Sequence, residues 1–123
     1  MIIEYASDKV KEYCTSVKSA KKLFGGNNEL AVKLMSRINS LKAAETIHDI
    51  IVQPKFYFHD LHDKGSKRLE GYFSITVKSK KEPWRIILQP LDENNSPYDP
   101  CNIDEISQTV RIVEIKEVSK HYE

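Results

Sequence analysis

The stretch Gly71-Tyr72-Phe73-Ser74-Ile75-Thr76-Val77-Lys78 decides the fold class, because its apolar residues fall at every second position. A period of two places Phe73, Ile75 and Val77 on one face and Tyr72, Ser74, Thr76 and Lys78 on the other, the pattern of a half-buried β-strand. Residues 83–90 repeat it, with Trp84, Ile86 and Leu88 on one side and Arg85, Ile87 and Gln89 on the other. The short polar link 79–82 joins the two runs, so an antiparallel hairpin is predicted.

Upstream the period lengthens. Residues 1–5 are apolar and β-prone, and Ser7 or Asp8 is placed to cap a helix. In that helix Val10, Tyr13, Cys14, Val17 and Phe24 recur at helical spacing, and Gly25-Gly26 supplies the stop. Asn27 or Asn28 caps a second helix with a stripe of Leu30, Leu34, Ile38 and Leu41, ending near Ala44. One more helical turn within 46–50 precedes Pro54, which forces extended backbone on its neighbour.

Downstream, Asn94-Asn95-Ser96-Pro97 and Asp99-Pro100 mark 91–108 as a long loop with a helical turn at 103–106, and 110–118 is again β-prone. Two amphipathic helices followed by antiparallel strands predict a single α+β domain over residues 1–123. In it the helices pack on one face of a small, curved, mainly antiparallel sheet, and the other face is left for function.

Composition narrows the classes. With 123 residues, 40% of them hydrophobic and 30% charged, the chain suits one self-folding domain and is too apolar for intrinsic disorder. Lys and Arg total 19 against 18 Asp and Glu, which excludes the global polycation expected of a general nucleic-acid coat. Cys14 and Cys101 show no metal or redox spacing, and no signal peptide, lipidation site or long apolar run is present. The expectation is a cytoplasmic protein with no membrane association.

The charge is nevertheless polarised along the chain. Residues 59–85 hold seven basic side chains (Lys64, Lys67, Arg68, Lys78, Lys80, Lys81, Arg85) against four acidic ones, whereas 92–105 hold five acidic and no basic residues. Alternation sets Tyr72 and Arg85 on the polar sides of their strands, where pairing puts both on one uncovered face fit to cradle a phosphate. His59 ends the preceding extended segment, Lys64, Lys67 and Arg68 form a basic loop, and His121 and Tyr122 follow the last strand.

Metal-free RNA cleavage needs a base for the ribose 2′-hydroxyl proton, cations for the charge growing on phosphate, and an acid for the departing oxygen. These residue types supply all three. Taken singly, each also has an ordinary structural reading: Arg85 as an ion-paired strand residue, Tyr72 as an exposed β-former, the basic loop as a solvated turn. His59 and His62, three apart without clustered partners, do not make a metal site, and no cofactor is expected.

The ordered set Phe58-His59-Asp60-Leu61, the basic 64–68 loop, Gly71-Tyr72-Phe73-Ser74-Ile75-Thr76-Val77 and Pro83-Trp84-Arg85-Ile86 resembles the HigB branch of the RelE/ParE toxin superfamily. The helical hairpin and the ending, an apolar strand leading into Lys120-His121-Tyr122, are similar to that family as well, so the resemblance spans nearly the whole chain. The acidic 92–108 stretch is longer than the usual family turn, and the net charge is lower than that of most ribosome-binding toxins.

The resemblance implies a RelE-like fold and a ribosome-dependent, metal-independent mRNA endoribonuclease that inhibits translation. Its implied partners are the ribosome, mRNA and a cognate HigA-like helix-turn-helix antitoxin. It assigns Arg85, His59, Tyr72, His121 and Tyr122 to catalysis and Lys64, Lys67 and Arg68 to RNA binding, with Glu117 an outside candidate. In that scheme the 2′-hydroxyl attacks the adjacent phosphate to give a 2′,3′-cyclic phosphate. Two alternatives stand beside it: a ParE-like poison of DNA gyrase, which shares the fold but lacks the histidine-rich site, and a non-catalytic interaction module whose basic face only docks a partner.

Overall fold

The computed structural model describes residues 1–63 and 68–120. The chain forms β1 (Ile2–Tyr5), α1 (Asp8–Thr15), α2 (Val17–Leu23), α3 (Asn28–Ala43), α4 (His48–Ile51), a 3-10 turn (Pro54–Phe56), β2 (His59–Asp60), β3 (Phe73–Thr76), β4 (Arg85–Leu91), α5 (Ile103–Ile106) and β5 (Ile112–Ser119). The class is α+β, as expected. One sheet runs in the order β1-β5-β4-β3-β2, with β1 parallel to β5 and the other neighbours antiparallel. It is therefore a mixed sheet whose centre is the predicted β3–β4 hairpin.

The first helix of the sequence reading is two. Thr15 Oγ1 donates back to the Lys11 carbonyl at 2.6 Å, and Ser16 leaves helical dihedrals at φ −135° and ψ 119°. The Ser16 side chain then accepts from Ser19 N and caps α2. Thr and Ser compete for backbone hydrogen bonds, and here they end one helix and start the next. Val10, Tyr13, Cys14 and Phe24 of the predicted stripe are buried, but Val17, just past the break, is exposed. Ser7 and Asn27 cap α1 and α3 through bonds from Val10 N and Leu30 N. Gly25 and Gly26, at φ +64° and +92°, turn the chain between α2 and α3, conformations that cost L side chains more than glycine.

Val10, Tyr13 and Cys14 of α1, Ala20 of α2 and Leu30, Ala31, Leu34, Ile38 and Leu41 of α3 join Ile75, Val77, Ile86, Leu88, Ile115 and Val118 in one apolar cluster. Trp84 packs on its border with its ring edge-on to Phe24, centroids 4.9 Å apart. Beyond Tyr5, strand β5 has no β1 neighbour, and the orphaned Val118 N donates to Tyr13 Oη at 3.2 Å. The Cys14 thiol is pushed up to about 12 by burial, which makes it a small hydrophobe rather than a reactive group.

The acidic 92–108 segment has a structural use. The Asp92 carboxylate accepts from Asn94 N at 2.8 Å and Ser96 N at 3.0 Å, forming a tight turn with Asn95 at positive φ. Farther on, Tyr98, Ile103 and Ile106 lie against a second cluster of Ile47, Val110 and Val113. The segment thus closes one end of the sheet. No described helix is long and apolar enough to cross a membrane.

The reading of β3 as half-buried is corrected. All four of its residues are buried, including Ser74 and Thr76 at 0% exposure, as are Arg85 and Ile87 opposite them on β4. The face turned away from the helices is covered by chain segments that surround β2. Leu61, Leu69 and Tyr72 pack on Ile87. Arg37 of α3 reaches round the sheet edge, donating from Nε to Thr76 O at 2.9 Å and from Nη2 to the Lys55 and Lys78 carbonyls. Because β2 pairs only with Ser74 and Phe73, the β3 edge beyond Ser74 lacks a strand partner, and Arg37 with the 3-10 turn takes that place.

Candidate functional site

The ladder fixes where each candidate stands. His59 pairs with Ser74, Ser74 with Ile87, and Ile87 with Glu117, so these four form one row across β2, β3, β4 and β5. One pair along, Thr76, Arg85 and Ser119 form the next row on the same face. A bulge between Ile87 and Leu88 makes Lys116 the extra residue of β5, and its Nζ lies 5.9 Å from the Tyr72 ring.

His59 is half-buried and tied on both sides. Its Nδ1 lies 3.0 Å from the Tyr57 carbonyl, and the Ser74 hydroxyl is 3.1 Å from Nε2. The Ser74 hydroxyl lies beside the ring, 3.3 Å from Nδ1 as well, but the Tyr57 carbonyl can only accept, so Nδ1 donates to it and Nε2 is left as the acceptor nitrogen of the neutral ring. That tautomer is the one a general base needs at Nε2.

Arg85 is not on an open face. It is 1% exposed, and Nη1 donates to the carbonyls of Ser79 at 3.3 Å, Trp84 at 3.0 Å and Glu82, while Nη2 donates to Lys80 at 2.8 Å. The fork of the guanidinium is matched to the carbonyls of the β3–β4 turn. Arg85 thus organises the turn that presents Lys80 and Lys81, and its buried charge contributes a positive field beneath the site.

The expected Tyr72–Arg85 cradle is corrected too. The parity is right, since both lie on the helix-distal face, but Arg85 stands opposite Thr76 and Tyr72 precedes Phe73. Four residue steps along the chain separate Tyr72 from Thr76, about 13 Å. Tyr72 belongs with Leu61, Leu69 and Lys116 at the other end of the face.

Arg68 is exposed and ion-paired with Asp63 at 3.5 Å, a contact that solvent weakens and that leaves the guanidinium able to exchange partners. Asp63 itself is the knot of this loop: its carboxylate accepts from Leu69 N at 2.6 Å and Glu70 N at 3.0 Å. Those two backbone bonds, with Arg68 adding to them, hold its pKa below the ordinary carboxylate value. Lys64, Lys67, His121 and Tyr122 lie outside the described residues. A cleft of about 370 Å³ beside this loop is lined by Asp60, His62, Asp63, Glu70, Tyr72 and Cys101. Its three carboxylates make it a poor seat for an anion. Among the described residues no group of three or more His, Cys, Asp or Glu is placed to hold a metal ion.

Two residues of the site were missed by sequence reasoning. Arg37 is the first arginine in a chain whose helices otherwise use lysine, and a position needing several directed donors is where arginine is preferred. Tyr57 sits in the aromatic run Phe56-Tyr57-Phe58, which cannot turn inward at every position. Its ring lies 4.9 Å from that of His59, with Lys80 Nζ 4.9 Å and Arg85 Cζ 6.0 Å from the centroid. The face therefore has a basic, aromatic end around Tyr57 and an acidic end around Asp63 and Glu70.

No protein-family model, curated protein or solved structure matches the chain.

Proposed function

We propose that this chain is a HigB-like toxin of RelE-like fold, a ribosome-dependent endoribonuclease that cleaves mRNA and so stops translation. The observation that carries the reading is His59: its tautomer is set by the Tyr57 carbonyl, with Nε2 directed along the sheet face that also holds the buried charge of Arg85. The sequence motifs around it support the same reading, as does the helix-backed sheet with a central hairpin.

In this scheme His59 Nε2 exchanges the Ser74 hydroxyl for the ribose 2′-hydroxyl and takes its proton. The 2′-oxygen then bonds to the adjacent phosphorus as the bond from phosphorus to the 5′-oxygen breaks. The products are a 2′,3′-cyclic phosphate and a 5′-hydroxyl, whose proton comes from an acid. Lys80 and the basic loop of Lys64, Lys67 and Arg68 hold phosphates, and Arg85 acts by its field and by positioning the turn. Tyr72, His121, Tyr122 and Glu117 are the candidates for the acid; Glu117 stands in the same ladder row as His59, three strand spacings away, about 14 Å. The partners in this reading are the ribosome, mRNA and a neutralising helix-turn-helix antitoxin, all cytoplasmic.

The test is cleavage of a defined mRNA on translating ribosomes, with ends mapped by primer extension. His59→Gln is expected to slow cleavage by about 10²- to 10⁴-fold, the usual worth of a positioned base. A 2′-deoxy substitution at the cut nucleotide is expected to abolish it. Cleavage that survives the 2′-deoxy substitution would overturn the mechanism, and intact mRNA together with inhibited DNA supercoiling would overturn the nuclease reading in favour of a gyrase poison.

A further inference from the structure

Tyr57 occupies a conformation that its residue type disfavours. Its φ and ψ are 49° and 48°, in the left-handed region. Among the described residues the other positive-φ positions are Gly25, Gly26, Gly71 and Asn95, types that accept that region with little strain. A tyrosine there carries a backbone cost, and its ring is not spent on the apolar core: the residue is 36% exposed while its neighbour Phe56 is 1% exposed. Phe56 and Phe58 enter or border the apolar core, and the left-handed turn between them throws the Tyr57 ring outward, onto the basic end of the sheet.

The ring meets cations there. Lys80 Nζ stands 4.9 Å from its centroid and Arg85 Cζ 6.0 Å, with the His59 ring tilted against it at 4.9 Å. An exposed aromatic ring beside flexible and fixed positive charge is the arrangement with which proteins hold unpaired nucleotides: the ring stacks on the base and the cations face the flanking phosphates. Lys80 is exposed and long, so a base arriving on the ring displaces its ammonium toward phosphate, whereas the buried Arg85 stays in place.

We propose that Tyr57 is the stacking platform for one base of a single-stranded RNA, next to the nucleotide whose 2′-hydroxyl meets His59. The inference deepens the nuclease reading above and rests on it for the position of the scissile nucleotide, but not for the binding of RNA. It predicts an unusual pattern of substitutions. Tyr57→Phe keeps the ring, Tyr57→Leu keeps apolar bulk without a π-face, and Tyr57→Gly removes the side chain while relieving the backbone.

The experiment is binding of a fluorescein-labelled single-stranded RNA decamer, followed by anisotropy at low salt, alongside thermal unfolding of each variant. Tyr57→Phe is expected within about twofold of wild type, and Tyr57→Leu and Tyr57→Gly weaker by about 5- to 100-fold, the range for loss of one base–aromatic stack. Tyr57→Gly is expected to melt at or above the wild-type temperature, which separates lost binding from lost folding. The proposal is overturned if wild type fails to bind the decamer, if Tyr57→Gly binds as well as wild type, or if Tyr57→Phe loses as much as Tyr57→Leu. Ribosome-dependent cleavage is scored in parallel. Ring-dependent binding without mRNA cleavage removes the nuclease and keeps the platform, and cleavage with ring-independent binding does the reverse.

Discussion

On the helix side of the β3–β4 hairpin, Ile75, Val77, Ile86 and Leu88 are fully buried by carbon; on the opposite side Ser74, Thr76, Arg85 and Ile87 are buried as completely, and three of those four are polar. Equal dryness conceals different physics. The helix side is held by dispersion and by apolar area removed from water, which are non-directional and follow volume. The far side has one small apolar cluster, Leu61 and Leu69 on Ile87, and is otherwise held by directed bonds: Arg85 to four carbonyls of the turn, Thr76 Oγ1 to Lys55 O at 3.1 Å, and Ser74 to His59. A face of the first kind is a scaffold. A face of the second kind is where groups are set to a geometry, and it is the face that carries His59.

The largest effects break the comparison open by a matched pair of substitutions, read as shifts in urea unfolding midpoints. Leu34 of α3 is fully buried in the helix-side cluster, and Leu34→Ala is expected to cost about 2–5 kcal/mol through lost transfer energy and the cavity left behind. Leu34→Met, which keeps the volume, is expected to cost under about 1.5 kcal/mol.

Arg85→Met applies the same volume-conserving logic to the far side and is expected to fail there. It strands the carbonyls of Ser79, Lys80, Glu82 and Trp84, for a cost of about 2–4 kcal/mol, and Arg85→Lys recovers little because one ammonium cannot reach the same fork of acceptors. If Arg85→Met proved as mild as Leu34→Met, the far side would be ordinary packing and the directed-bond account would fall.

The same contrast explains what was legible in the sequence. The helix side was written in periodicity: Val10, Leu34 and Ile38 at helical spacing and Phe73, Ile75 and Val77 at a period of two are all core residues. Those signals arise from burial alone, and of the first stripe only Val17, exposed just past the break at Ser16, departs from them. The far side has no such signature. Ser74 and Thr76 read as solvent-facing because polar residues on an alternating strand usually are, and only long-range partners make them buried: Lys55, Arg37 and the loop bearing Leu61 and Leu69. The site was therefore half readable. His59 and the polarity of the hairpin were visible, but Tyr57 and Arg37 were not, because a left-handed turn and a reach of 39 residues leave no local pattern.

The smallest effect sharpens the comparison by loosening one face alone. Asp63 ties residues 69 and 70 back to the start of their loop, and through Leu69 it holds down the cover over Ile87. Its pKa is lowered in the folded state, first by the backbone bond from Leu69, then by that from Glu70. A lowered pKa means that the carboxylate stabilises the fold above the unfolded value of about 3.9 and that this contribution is lost as pH falls through the lower folded value. Acidification below about pH 4 should therefore shift the amide resonances of Leu69 and Glu70 while the fluorescence of Trp84, packed on Phe24 at the helix side, stays unchanged. In Asp63→Asn that titration of the two amides should vanish, since an uncharged amide oxygen takes the place of the carboxylate at every pH. Movement of Trp84 in step with the two amides would show that the two faces unfold as one, and the separation drawn between a volume-packed side and a bond-directed side would not extend to their stability.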